Sequence, residues 1–377
     1  MLRGLLLLLL TVCVKGMTQR RTTPPLPSKV VVGYGNWGQC DEKMVNAVKE
    51  GVNVIIWFSI NLVRNPLTGL PQVQGGPDLS CVAERIREIR QLHNGEQVVN
   101  LLSIGGWNSP HPDTHNTPED IFAELDRWNL ENGSLFDGFD WDIEGNDDIS
   151  SPYNTFTASC LDAMGTISQC AKRKGYIFAM APAESYLDPH CDLFDRSLQH
   201  AYPEWLELQP NFKYHGHNAY AYILHKYGKT SLTSGEEIDT FDFVMVQLYE
   251  GYSHALYNMD VLKDTVDPAE YVTDLVGRFK RGWTVPFSTD AELCHPDALV
   301  SLDPQKLVIG LANGWAGDGK FLFIPTPTLE RIYAALEEAH LQVRGFAFWN
   351  IKDEGLTPAN YDKDVWLARD LKRILGN

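Results

Sequence analysis

The chain has 377 residues, 44% of them hydrophobic and 21% charged. That is enough for one large α/β barrel, which takes about 250 residues plus insertions, so two domains are not required. A formal net charge of −17 disfavours nucleic acid and anionic membrane surfaces as partners.

The first element is a leader. Arg3 supplies a positive end, residues 5–14 form an apolar core, and Val14-Lys15-Gly16 offers a cleavage position. The pattern predicts a secretory signal over residues 1–16, too short to span a bilayer, and no later stretch is apolar enough to do so. Residues 17–28 are polar and proline-rich and read as a flexible lead-in. From residue 29 to residue 377 strands and helices alternate, which predicts a parallel sheet.

Strands are expected at 30–34, 53–60 and 97–104, with helices at 41–50 and around Leu79, Val82, Ile86 and Ile89. Thr117-Pro118-Glu119-Asp120 reads as a helix start, with a cap, a proline and acids in the first turn. A fourth strand covers the acidic stretch near 140, and a long helix follows over 153–174. A fifth strand is expected at 176–182. The roughly 50 residues after it exceed an ordinary connection and must hold a helix plus an inserted loop. Strands at 241–249, 306–311 and 343–349 complete eight. Their helices begin at Asp267-Pro268, run through Leu329, Ile332, Tyr333 and Leu336, and close over 365–375. Eight strand–helix units predict a (β/α)8 TIM barrel, one domain with an insertion between strands five and six and no appended module.

Removing Cys13 with the leader leaves Cys40, Cys81, Cys160, Cys170, Cys191 and Cys294, an even number that suggests disulfides in a secreted chain. Cys160 and Cys170 share one predicted helix and would lie ~15 Å apart, beyond the roughly 7 Å limit for a bridge, so they should not pair with each other. The other connectivities stay open. A chain of this size can also build a core with its thiols free. His215-Gly216-His217 is too weak a pattern for a metal site and reads as a surface loop.

The chemistry concentrates in Phe136-Asp137-Gly138-Phe139-Asp140-Trp141-Asp142-Ile143-Glu144. On a strand, alternate residues share a face, so Asp140, Asp142 and Glu144 line one side and Phe139, Trp141 and Ile143 the other. The apolar spacers argue against a solvated loop. A buried row of acids is costly unless the acids share protons or meet a ligand. One row on one strand does not surround an ion, so no metal and no cofactor are expected. In a barrel the mouth lies at the C-terminal strand ends, where Glu144 falls.

Asp137-x-x-Asp140-x-Asp142-x-Glu144 resembles the DxxDxDxE signature of glycoside hydrolase family 18, the chitinases and their relatives. Tyr34 and Trp37 after strand one, Ser103-Ile104-Gly105-Gly106-Trp107 after strand three, Gln247 and Tyr249 on strand six and Trp349 ending strand eight resemble further family positions. The resemblance runs from residue 30 onward, but residues 187–240 have no counterpart. It implies a secreted or lumenal, monomeric chitinase-like hydrolase of β-1,4-linked N-acetylglucosamine. It further implies Glu144 as general acid/base, Asp142 and Asp140 as its partners and Tyr249 on the substrate's acetamido group. A neutral sugar polymer also suits the acidic chain. Aromatic rings suit the apolar face of a sugar. Tyr34, Trp37, Trp107, Gln247, Trp315 and Trp349 are therefore the expected substrate contacts, whereas Trp57 and Trp141 fall inside strands and read as core. An endo-β-N-acetylglucosaminidase acting on N-glycans and a silent chitin-binding lectin are the alternatives. Intact Glu144 argues against the lectin.

Overall fold

The computed structural model describes residues 23–198, 216–251, 253–262, 265–316 and 320–376, so the leader and His215 lie outside the described residues. Eight parallel strands form a closed barrel: β1 (Val30–Tyr34), β2 (Val54–Arg64), β3 (Val99–Gly106), β4 (Gly138–Ile143), β5 (Ile177–Met180), β6 (Phe243–Gln247), β7 (Leu307–Ala312) and β8 (Gly345–Trp349). Closure is direct, since β1 pairs in parallel with both β8 and β2. The helices between and after them are α1 (Glu42–Glu50), α2 (Leu79–Arg90), α3 (Pro118–Glu131), α4 (Ala158–Lys174), α5 (Ala219–Tyr227), α6 (Pro268–Arg281), α7 (Thr326–Glu338) and α8 (Leu367–Leu375). None of the described helices is long and apolar enough to cross a membrane.

Local sequence explains where the helices start. Asp41, Asp78, Thr117, Thr157 and Asp267 each accept a backbone N–H in the first turn of α1, α2, α3, α4 and α6. Such a cap stabilises a helix by about 1 kcal/mol. Thr157 also corrects the expected start of α4. The helix begins at 158 rather than 153, because Pro152–Asn154 is a separate turn and Thr157 makes the cap.

Strand alternation divides the core into two layers. Val31, Ile55, Leu102, Phe139 and Trp141 face outward to the helices, while Val30, Val32, Tyr34, Ile56, Leu101 and Ala347 fill the barrel. Trp57 and Trp141 are fully buried in the outer layer, as expected of core residues. Gly138 lets β4 approach β5, because a Cβ there would sit 1.9 Å from the Ile177 carbonyl oxygen. Three antiparallel pairings decorate the barrel: Pro71–Gly75 on β2, Lys229–Ser231 with Glu237–Asp239, and Trp283–Val285 with Ala298–Val300.

The cysteines form one bridge among the described residues. Cys40, before α1, joins Cys81 on α2 with Cα atoms 6.1 Å apart. Closing a loop of that length stabilises the fold by about 2–4 kcal/mol. Cys160, Cys170 and Cys294 are free thiols. Cys160 and Cys170 are unpaired with each other, as the helix geometry requires. Burial pushes the Cys160 thiol up to about 12, which leaves it an inert part of the core.

Candidate active site

Strand β4 builds the site. Its outward Trp141 donates its indole N–H to Ser168 Oγ on α4 at 2.8 Å, which fixes the strand against the helix layer. The other face then carries Asp140, Asp142 and, one residue past the strand, Glu144. They are 0%, 5% and 8% exposed.

Asp140 lies deepest. Its Oδ2 accepts from the Tyr34 hydroxyl at 3.0 Å and the Ser103 hydroxyl at 3.2 Å, and its Oδ1 is buried without a hydrogen-bond partner. Burial pushes its carboxyl up to about 7, against the two hydrogen bonds. Burial also holds Asp142 well above the usual carboxylate range, helped by the charge of Glu144 and by a hydrogen bond to it. Glu144 is raised by burial, and the bonds from Asp142 and Gln247 oppose that. Gln247 Nε2 donates to Asp142 Oδ1 at 2.8 Å, Glu144 Oε1 at 3.1 Å and the Ala181 carbonyl at 2.7 Å. The Asp142–Glu144 pair therefore shares a proton with Asp142 as the donor, and titrates as a unit.

This arrangement makes stability depend on pH. A carboxyl raised from an unfolded value of about 4 to a folded value of about 7 contributes stability that is complete below the first and lost as pH rises through the second. Asp140→Asn should therefore gain stability relative to the parent chain between about pH 4 and 7. Urea denaturation at several pH values reads this. A difference that stays constant with pH would contradict the raised Asp140 pKa.

Above the acids lies an open cleft of about 630 Å³. Its floor is Trp349, whose ring meets Phe58 at 4.6 Å and 71° and whose carbonyl accepts the Trp315 indole N–H at 2.6 Å. Trp37, 50% exposed, packs edge-on against Phe58 at 4.6 Å. Gly106 makes that possible: at φ +101°, a Cβ would lie 2.6 Å from both the Phe58 and Trp37 rings. The glycines ending β3 thus do more than turn the chain. Trp107 is held through its indole N–H by Asp147 Oδ1 at 3.0 Å. Tyr249 lies edge-on to Trp315 at 5.9 Å, and Trp315 to Phe321 at 5.0 Å.

The cleft brings together eight of the expected residues: Asp142, Glu144, Gln247, Tyr249, Trp37, Trp107, Trp315 and Trp349. Asp140 sits one layer below. Two expectations need correction. Tyr34 is 1% exposed and does not line the cleft; its hydroxyl is committed to Asp140, so it supports the acids instead of contacting a sugar. Gln247 lines the cleft at 2% exposure, but its amide hydrogens are already shared among the two acids and Ala181. His217 is also buried, at 6% exposure, with Nδ1 3.4 Å from Cys191 Sγ, and is no part of a surface loop.

Sequence reasoning missed Glu250, Phe58, Phe321 and Tyr186. Glu250 lines the cleft, and burial and the nearby Glu144 hold its carboxyl well above the usual range. Its signal was its place directly after Tyr249. Phe58 was legible from alternation, since Val54, Ile56 and Phe58 share the inward face of β2. Phe321 stands in an irregular segment with no periodicity to reveal it. Tyr186 is buried, and burial together with the charges of Glu144, Glu250 and Asp142 holds its hydroxyl well above the usual range.

The barrel shares its fold with solved chitinases. No known-family profile matches the sequence, and no curated protein matches it. Solved structures do. The C-terminal domain of Legionella pneumophila ChiA aligns at a TM-score of 0.54 and 16% identity, over 86% of this chain and 93% of that one. Catalytic domain 2 of the Ostrinia furnacalis Group II chitinase, a mutant in complex with penta-N-acetylchitooctaose, aligns at 0.52 and 12%, over 93% and 97%. The Ostrinia furnacalis Group IV chitinase in complex with allosamidin aligns at 0.50 and 12%, over 92% and 99%. At these identities the likeness is one of fold.

Proposed function

We propose that this protein is a secreted family 18 glycoside hydrolase that cleaves β-1,4-linked N-acetylglucosamine polymers, with residues 29–377 as its catalytic domain. The observation that carries the reading is the buried row Asp140, Asp142 and Glu144, its last two members hydrogen-bonded to each other, ending at an aromatic-lined cleft. The oligosaccharide and allosamidin complexes of the structural neighbours support the same substrate class.

The mechanism departs from the usual two-carboxylate scheme. The acetamido oxygen of the substrate attacks the anomeric carbon as the glycosidic C–O bond breaks. Glu144 gives its proton to the leaving oxygen, and an oxazolinium ion forms. Water then attacks the same carbon, Glu144 takes a proton from it, and the ring opens to a product of retained configuration. Asp142 turns from Glu144 to hold the acetamido N–H and offset the growing positive charge. The proton shared in the resting pair passes to Glu144 as Asp142 turns away, and Asp140, whose carboxyl burial pushes up to about 7, shares its own proton with Asp142 through its unpartnered Oδ1. Tyr249 bonds the acetamido oxygen. The burial that raises Glu144 favours its protonated form, as a general acid requires.

Trp349 floors the subsite where the bond breaks. Trp349→Ala should weaken chito-oligosaccharide binding by about 1–3 kcal/mol, the scale of a lost buried aromatic contact. Calorimetry on a Glu144→Gln background reads this, and unchanged affinity would move the platform elsewhere. The function itself is tested by turnover of a chromogenic chito-oligosaccharide beside a high-mannose glycoprotein. Cleavage of the first supports the reading. Cleavage of the glycoprotein alone makes the protein an endo-β-N-acetylglucosaminidase, and binding without cleavage makes it a lectin.

A further inference from the structure

A second cluster of ligating side chains lies outside the acid row, where the segment after β5 meets the segment after β6 and helix α6. Glu184 and Asp188 are 0% and 3% exposed. Among the described residues neither pairs with a lysine or arginine; the ion pairs of Asp188 are with His190 and His254. Two carboxylates buried this deeply need positive charge or protons beside them.

His190 shows where that charge belongs. Its Nε2 lies 3.3 Å from Asp274 Oδ2 on α6, and its ring stacks on Tyr271 at 5.4 Å and 14°. A carboxylate on one ring nitrogen is the contact that orients a metal-bound histidine and leaves the other nitrogen toward the metal. His190 Nδ1 is buried without a hydrogen-bond partner and faces Asp188 Oδ1 at 3.5 Å. A ring nitrogen and a carboxylate oxygen this close need a proton or a cation between them. Glu184, Asp188 and His190 each bring one ligand atom, all within 4.8 Å of one another.

The outer contacts suit a binding site. Asp274 orients His190, His254 Nδ1 bonds Asp188 Oδ2, and Asp188 Oδ1 accepts the His190 backbone N–H at 2.8 Å and keeps a second lone pair. Glu184 accepts the Tyr271 hydroxyl at 2.7 Å and the Ala255 N–H at 2.9 Å, and each oxygen keeps a second lone pair. Outer partners of this kind fix the ligands of metal sites.

We propose that Glu184, Asp188 and His190 bind a divalent transition-metal cation of the zinc or manganese class. The imidazole nitrogen disfavours calcium and magnesium, which take oxygen ligands, and the lack of a thiolate disfavours copper(I). Metal–ligand distances of about 2.0–2.2 Å place ligand atoms no more than about 4.4 Å apart, so the three close slightly on binding. The cation braces the site and takes no part in the chemistry. Tyr186, between two of the ligands in sequence, is buried close enough to Glu144 to feel its charge, and His254 lies on the segment that begins at Glu250. The proposal is independent of the substrate, because its test reads binding and melting.

The chain is stripped with EDTA, then titrated with Zn²⁺, Mn²⁺ and Ca²⁺ in turn against a fluorescent chelator. Metal content after gel filtration is measured by mass spectrometry. The expected result is one tight equivalent of Zn²⁺ or Mn²⁺ and a melting temperature raised by at least about 3 °C. His190→Ala should lose both effects. Asp274→Ala keeps all three ligands and should weaken affinity by about 10–100-fold, which preserves the test if His190→Ala fails to fold. No retained equivalent, or binding that Asp274→Ala leaves unchanged, would overturn the proposal in favour of a protonated His190 paired with Asp188. Tight binding of Ca²⁺ alone would overturn the transition-metal assignment.

Discussion

Glu144→Gln should lower hydrolysis of chito-oligosaccharides by at least about 100-fold and leave oligomer binding in place. The substitution preserves the local bonding. A glutamine Oε1 still accepts from Gln247 Nε2, and its amide can donate to Asp142 where the parent chain has the shared proton. Only the transferable proton is removed. Binding should persist because Trp349, Trp37 and Trp107 are untouched. Steady-state kinetics and calorimetry on the same preparation separate the two effects. Near-native turnover would move the acid role to another carboxyl of the cleft, and Glu250 is the one beside it.

A chito-oligomer carrying glucosamine at the cleaved position should bind and remain uncut. The reason is the placement of the acids. A retaining enzyme with its own nucleophile needs a second carboxylate about 5–5.5 Å from the acid across the sugar, and an inverting one needs it roughly 6.5–9.5 Å away with room for water. Asp140 and Asp142 share the strand face of Glu144, and Asp140 is fully enclosed. They crowd one side of the bond and are better placed to hold an acetamido group than to attack. A free amine has no carbonyl oxygen to supply the nucleophile. Mass spectrometry of a partly deacetylated oligomer reads the cut sites. Brisk cleavage after a deacetylated sugar would assign the attack to a protein carboxylate, Glu250 first.

Most of the barrel was legible because parallel strands buried on both faces read as apolar runs of fixed length. The acid row was legible for a related reason. Phe139, Trp141 and Ile143 announce a buried strand, and a period of two then puts Asp140 and Asp142 inside. The short hairpin of Trp283–Val285 and Ala298–Val300 was not, since strands of three residues are too short to show a period. Tyr34 and Gln247 were found as site residues but given the wrong neighbours. Their partners lie 106 and 105 residues away in sequence, and only the closed barrel brings them together. The cysteine count pointed to several bridges, yet Cys160 packs as a small apolar side chain. The Glu184, Asp188 and His190 cluster has no ligand spacing that stands out from its loop, and its meaning comes from Asp274 and His254 on other segments.

The account turns on the substrate's acetamido group acting as nucleophile with Glu144 as its acid. Proton NMR of chitopentaose digested by the wild-type protein, recorded within minutes of mixing, tests it most directly. The account predicts that the first product carries the β configuration at its new reducing end and drifts to the anomeric equilibrium only afterwards. An α-configured first product, or an oligomer left intact, would contradict it.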